Sequence, residues 1–336
     1  MATHRAAAGR PVLNLALQGG GAHGAFTWGV LDCLLEQDDF DIGHVSGTSA
    51  GALNGAALVS GLAAGGKAAA KDSLALLWHK VAQVGAPLTF LLLPLRKPGM
   101  GVWDDAMPLL SPYQTNPVAL EPLRHVLGAV VDLDALRTSR SQLFVNAVNV
   151  HTGRSRVFGP HDMSLDAILA SACAPLMFQA AQIERESYWD GSYAGNPMLW
   201  PLYQHRLDVD ILMVELTPLH RPETPTTAKN ILNRINEIAS INGLVSELRA
   251  LDSINRNVAE ADIRMHLLSL PEEGSEIRIE PSIKRTVGAG LFQALRQDGH
   301  KACERWLEDN LARIGAESSL DVQARYLEPY AQPARR

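Results

Sequence analysis

The chain's 336 residues suffice for one large domain or two ordinary ones, and a composition 46% hydrophobic and 20% charged belongs to a globular protein, not a disordered one. A net charge of −6 argues against a nucleic-acid partner, which calls for a basic face. Cys33, Cys173 and Cys303 stand far apart with no C-x-x-C pair, against zinc and a disulfide framework and for a reducing, cytoplasmic compartment.

Met1 to Arg10 is Ala-rich and carries Arg5 and Arg10 but no apolar stretch, so no signal peptide is expected. Val12 to Leu17, almost wholly aliphatic, predicts a buried strand. Gln18-Gly19-Gly20-Gly21-Ala22-His23-Gly24 follows, and a helix opens at Ala25 with Phe26, Val30, Leu31, Leu34 and Leu35 on one face. Gly19, Gly21 and Gly24 spell G-x-G-x-x-G, the dinucleotide fingerprint. That reading needs an acidic residue at the end of the second strand to hold the ribose. Asp41 has the spacing but precedes that strand, whose end holds Ser46 and Gly47. Bare amides of consecutive glycines suit a different task, the stabilisation of an oxyanion in acyl transfer.

A short β-branched run, Ile42 to Val45, leads into Gly47-Thr48-Ser49-Ala50-Gly51, a G-x-S-x-G match, and a small-residue helix is expected from Ala50 to about Ala64. In a nucleophile elbow a sharp strand-to-helix turn lifts the serine hydroxyl off the sheet to the helix N-terminus, where the helix dipole favours negative charge. The bland alternative is a Gly-rich turn before a helix. With the two strands as parallel neighbours, both loops lie at the carboxyl edge of the sheet, where α/β folds bind ligands.

Another helix is expected from Lys67 to Val84, after the Gly65-Gly66 break. Gly85 to Pro122 reads as a long irregular passage with seven prolines, greasy through Leu88, Leu91, Leu93, Leu95 and Trp103. It is either a loop packed on the core or a lid for an apolar substrate. Its run from Pro87 to Leu95, the longest apolar one, falls short of the roughly 20 residues that span a bilayer, so a soluble or at most peripheral protein is expected. A helix at Leu120 to Leu127 precedes two strands, Gln142 to Val150 and Arg154 to Phe158, that read as a hairpin. A helix at Ser164 to Cys173 stops at Ala174-Pro175. Ile183 to Trp189 reads as one strand delivering Asp190-Gly191-Ser192, either an acid aimed at a site or an ordinary Asp-Gly turn. Val209 to Leu216 and Ile263 to Leu270 are further strands. Between them runs a long helix, Thr227 to about Asp262, whose stripe of Ile231, Ile235, Ile238, Val245, Leu248 and Leu251 serves core packing or a partner or membrane surface, with a bend at Gly243. Helices at Gly288 to Gln297 and Gly299 to Ile314 close the chain before a frayed tail, Pro329 to Arg336.

Three features in this order resemble the patatin-like phospholipases: the glycine loop Gly19 to Gly24, the elbow Gly47 to Gly51 and the acid motif Asp190-Gly191-Ser192. Ala170 to Pro175, just before the acid, is also similar to the family, and the resemblance covers about Leu13 to Leu216. It implies an α/β, three-layer patatin-like fold: a largely parallel central sheet, helices on both faces and a helical C-terminal extension. Residues 11–216 form the expected catalytic domain and 217–328 a mainly helical region packed on it. The resemblance further implies hydrolysis of lipid acyl esters through an acyl-enzyme, with Ser49 as nucleophile and Asp190 as its base, and with the amides of Gly19, Gly20 and Gly21 as oxyanion hole. Gly24, Gly47, Gly51 and Gly191 support the motifs. No cofactor and no metal are expected; the partner is a lipid or other acyl-ester substrate, with peripheral membrane contact. The chain departs from the family pattern at His23, where Arg or Lys is usual, and at Ser192, where Gly or Ala is usual. Two readings compete: a Ser–acid–His triad completed by His205, His220, His266 or His300, and a catalytically silent lipid- or protein-binding module of the same fold.

Overall fold

β1 (Val12–Leu17) takes the aliphatic run, and both its faces are covered: Leu13, Leu15 and Leu17 join one hydrophobic core, Ala16 another. Two-sided burial is what a continuous apolar strand in a parallel sheet requires. The computed structural model describes residues 9–92, 111–115, 120–217, 219–221, 223–270 and 288–328. The sheet runs in the order β5 (Ala181–Ile183), β6 (Glu186–Asp190), β3 (Leu143–Asn149), β2 (Asp41–Gly47), β1, β7 (Asp208–Glu215), β8 (Asp262–Ser269), with β4 (Ser155–Phe158) also paired to β3. β3, β2, β1, β7 and β8 are mutually parallel; β4 and β6 pair antiparallel to β3, and β5 to β6. The sheet is therefore mixed and mostly parallel.

Helices cover both faces. On one lie α1 (Gly24–Leu35), α2 (Ala50–Leu92), α3 (Glu121–Val130), α4 (Leu133–Thr138), α5 (Leu165–Ser171) and α7 (Ala289–Asn310). On the other, α6 (Ala228–Asn257) sets Leu244, Leu248 and Leu251 against Ile211, Met213 and Ile263. Side-chain caps mark three of the helix starts. Asp132 accepts from Asp134 N and Ala135 N, Ser164 from Ala167 N, and Thr227 from Asn230 N, each satisfying an amide that the first turn leaves open. The C-terminal part supplies α6 and α7 and also β8, which pairs with β7 along its whole length.

Several elements differ from the sequence reading, each for a tertiary reason. α1 is buried all round rather than along one stripe, because α7 lies against its outer side. The two closing helices are a single one: Gly299 does not break α7 but lets it touch α1. A Cβ on Gly299 would stand 2.1 Å from Phe26 O, and one on Gly29 1.9 Å from Arg296 O. Ile183 to Trp189 is not one strand but the β5–β6 hairpin, turned at Glu184 in the left-handed region (φ 59°). α2 runs on to Leu92, so the passage expected to be irregular from Gly85 begins as helix; Gly65 and Gly66 do interrupt it, with non-helical φ/ψ. Leu93, Leu95 and Trp103 lie outside the described residues, as do most of the N-terminal stretch read for targeting and the tail from Pro329. Gly243 does not interrupt α6; it admits the helix to the loop after β6, where a Cβ would lie 2.4 Å from Ala194 O. The stripe on α6 is divided: Leu248 and Leu251 are buried, but Ile231, Ile235 and Ile238 face solvent.

Candidate active site

The parallel pairing of β1 with β2 brings their carboxyl ends together, with Leu17 opposite Gly47. β2 then turns abruptly into α2. Thr48 N donates to Leu17 O (3.1 Å), Gly51 N to Thr48 O (2.8 Å) and Leu53 N to Ser49 O (3.1 Å). Ser49, at the apex, has φ 54°, a conformation costly for a residue with a side chain. Its amide is held by the Ser171 hydroxyl of α5 at 3.0 Å. The flanking glycines are required by contact: a Cβ on Gly51 would stand 2.1 Å from Leu17 O, and one on Gly47 2.5 Å from Gly51 O.

The glycine loop crosses directly against this elbow. A Cβ on Gly19 would lie 2.7 Å from that of Ser49, and one on Gly24 2.7 Å from that of Ala50. The three amides expected to stay open do not all do so. Gly19 N already donates to Asn196 Oδ1 at 2.6 Å, and Asn196 Nδ2 returns a bond to Gly19 O at 3.3 Å. Gly19 is thus a spacer that lets the loop touch the serine, not an open donor. Among the described residues, Gly20 N and Gly21 N donate to nothing, with Gly21 in the left-handed region (φ 57°).

Asp190 ends β6 beside Ala147 of β3, its amide donating to Cys173 O at 2.9 Å. The carboxyl group is buried. It accepts from Ser192 N at 2.9 Å, and the Ser49 side chain lies close enough to act on its proton affinity. Burial raises its pKa above the ordinary carboxylate value; the Ser192 amide and the nearby Ser49 and Ser192 hydroxyls oppose that rise without cancelling it. Ser49, Asp190 and the glycine loop, distant in sequence, therefore meet at one edge of the sheet.

Two asparagines and a threonine that the sequence reading passed over connect the three loops. Thr48 Oγ1 donates to Asn146 Oδ1 (2.6 Å), and Asn146 Nδ2 donates to Gly191 O and Gly195 O (3.0 Å each). All three side chains, Thr48, Asn146 and Asn196, are buried. Gly191 has no room for a side chain because its Cβ would meet Asn146 O at 2.2 Å. The available signal was an asparagine in the middle of the apolar strand Leu143–Asn149, where an unpartnered amide would be costly.

The rival readings find less support in this geometry. No histidine among the described residues hydrogen-bonds to Ser49 or Asp190. His266 is held by Asp210 and Ser319, and His300 by Glu36. β2 ends in the elbow rather than in an acid, and Asp41 lies at the opposite edge. His23, in the position usual for Arg or Lys, is fully buried. No cluster of metal-ligating side chains occurs among the described residues, and none of their helices is long and apolar enough to cross a membrane.

A family model described as patatin-like phospholipase matches residues 15–203. Among solved structures the chain is similar to VipD from Legionella pneumophila, at 13% identity over 95% of this chain and 73% of that one, with a TM-score of 0.44. It is also similar to ExoU from Pseudomonas aeruginosa, solved in complex with SpcU, at 18% identity and a TM-score of 0.37; the match takes in 94% of this chain and 58% of that one. A search of curated proteins finds no match.

Proposed function

The chain belongs to the patatin-like phospholipase family, and on that premise we propose that it is a serine acyl hydrolase that cleaves carboxylic esters of lipids with a Ser49–Asp190 dyad. One observation carries the reading: a buried carboxyl group of raised proton affinity beside a serine at the apex of a strand-to-helix turn. A serine hydroxyl is a weak nucleophile until a neighbouring base takes its proton, and a desolvated carboxylate is a better base than an exposed one.

In the first half-reaction Ser49 Oγ adds to the ester carbonyl while its proton passes to Asp190. The oxyanion of the tetrahedral intermediate is met by Gly20 N–H and Gly21 N–H, an interaction worth about 2.7–4 kcal/mol of barrier for a single donor. Collapse breaks the C–O bond, and Asp190 returns the proton to the departing alcohol. Water then attacks the acyl-enzyme, again giving a proton to Asp190, and Ser49 leaves with it as the free acid forms. One ester and one water become one acid and one alcohol. The strained φ at Ser49 and the bond from Ser171 to its amide support a fixed nucleophile position.

The substrate side of this proposal is a lipid taken at a membrane surface from a cytoplasmic, peripheral setting. Exposed Leu176 and Met177, in the segment between α5 and β5, support an apolar rim, and three buried free thiols support a reducing compartment. The test is hydrolysis of p-nitrophenyl acyl esters together with fluorophosphonate labelling. Ser49→Ala and Asp190→Asn should each abolish turnover, and Ser49→Ala should also abolish labelling. Full activity in either variant removes the dyad. Vesicle co-sedimentation by a wild-type protein that never labels at Ser49 would favour the silent binding module.

A further inference from the structure

A cavity of about 890 Å³ opens at the amino edge of the sheet, the edge opposite Ser49. Its volume falls in the range of small-molecule sites. Arg10 and Val12 at the start of β1, His44 of β2, Phe144 of β3, Leu202 and His205 before β7, and Arg264 of β8 are among the residues around it. The pairing of β1 with β2 is irregular here. Leu13 pairs with Ile42 and Leu15 with Val45, so Gly43 and His44 together face the single residue Asn14. Such a bulge re-aims a side chain and is frequent beside functional sites. The Asn14 side chain takes over the ladder's role: its Oδ1 accepts from His44 N at 2.8 Å, and a Cβ on Gly43 would collide with that oxygen at 2.4 Å.

The bulge leaves two donors on the cavity wall. Asn14 is 96% buried by its 4% exposure, and its Nδ2 has no partner among the described residues. His44 Nδ1 accepts from Gln142 N at 3.1 Å, which puts the proton of the neutral ring on Nε2, also without a partner there. Burial first, and then the neighbouring His205, depresses the pKa of His44, so the neutral ring is favoured. The acids nearby are already spent: Arg264 is bound by Asp208, Asp210 and Asp262, Arg206 by Asp208, and Arg10 lies 4.0 Å from Asp41. Each of these arginines is already paired, which argues against a dianion. Asn14 and His44 thus offer a pair of open N–H donors beside an apolar wall of Val12, Phe144 and Leu202.

We propose that this cavity is a second binding site that takes a monocarboxylate with an apolar body, its two oxygens on Asn14 Nδ2–H and His44 Nε2–H. β1 and β2 lead from these two residues to Gly19 and Ser49, five residues on in each strand, or about 16 Å of extended chain. The site is therefore separate from the ester-cleaving edge but built on the same two strands.

Octanoate titrated into the full-length Ser49→Ala protein, followed by calorimetry, tests this. Saturable one-to-one binding is expected, and octan-1-ol should bind at least about tenfold more weakly, as loss of a charge-assisted hydrogen bond implies. His44→Phe removes the donor and keeps a ring; Val12→Trp, at a half-exposed position, fills the mouth and removes no polar group. Each should weaken octanoate by about tenfold or more while thermal unfolding stays cooperative. Wild-type protein blocked at Ser49 by a fluorophosphonate should bind octanoate as well as before. The proposal is overturned by an absence of saturation, by equal affinity for octan-1-ol, by unchanged affinity in both variants, or by loss of binding on blocking Ser49.

Discussion

Asn196→Ala removes a side chain that fastens the glycine loop to the acid loop. Asn196 is 1% exposed; it accepts from Gly19 N at 2.6 Å and donates to Gly19 O at 3.3 Å. Truncation strands both backbone groups in a buried place, and each such group costs about 1–3 kcal/mol. A water admitted to the vacated space would recover part of this, leaving a net loss of about 2–4 kcal/mol. With a urea dependence of roughly 3 kcal/mol per molar for a chain this long, the unfolding midpoint falls by roughly 1 M. Catalysis should suffer separately. Gly19 lies against Ser49 so closely that a Cβ would come within 2.7 Å of the serine's own, and a 1 Å displacement of a positioned group costs on the order of 10²-fold in rate. Urea unfolding followed by tryptophan fluorescence, and kcat on a p-nitrophenyl ester at a temperature where the variant is fully folded, measure the two effects. A midpoint and kcat both equal to wild type would refute the argument, and a lower midpoint with unchanged kcat would show that the loop does not depend on Asn196 for its working position.

Two further predictions concern charge and packing. As the proposed base, Asp190 must be ionised, and its folded pKa is raised, so the acid limb of kcat/KM should lie above pH 3.8. The stabilisation from the same shift is fully present below that value and is lost as pH rises through the higher folded pKa. Asp190→Asn, neutral throughout, should therefore match or exceed wild type in Tm at pH 7, with the advantage shrinking toward pH 4; a Tm well below wild type at pH 7 refutes this. Gly299→Ala should destabilise by about 1–3 kcal/mol: its Cβ would sit 2.1 Å from Phe26 O, and the overpacking outweighs the roughly 1 kcal/mol that alanine gains in a helix. Gly290→Ala, in the same helix with nothing near its Cβ, is the control and should be neutral or stabilising in urea.

What the residues alone determined is local. An unbroken aliphatic run such as Val12–Leu17 has few options besides a buried strand, and Gly47-Thr48-Ser49-Ala50-Gly51 between a strand and a helix carries its turn in its own steric demands. The order of glycine loop, elbow and acid was enough to name a family and a mostly parallel sheet. Where neighbours in space decide, local pattern misled. The stripe on α1 did not show that α7 covers its other side, and Gly299 looked like a break because its contact, Phe26, lies far earlier in the chain. The same holds for the side chains that assemble the site. Asn196 meets Gly19 across 177 residues and Ser171 meets Ser49 across 122, distances over which no spacing rule reports. A lone buried amide or hydroxyl has no periodicity of its own. Its meaning comes from whichever unsatisfied backbone group the folded sheet brings within hydrogen-bonding distance.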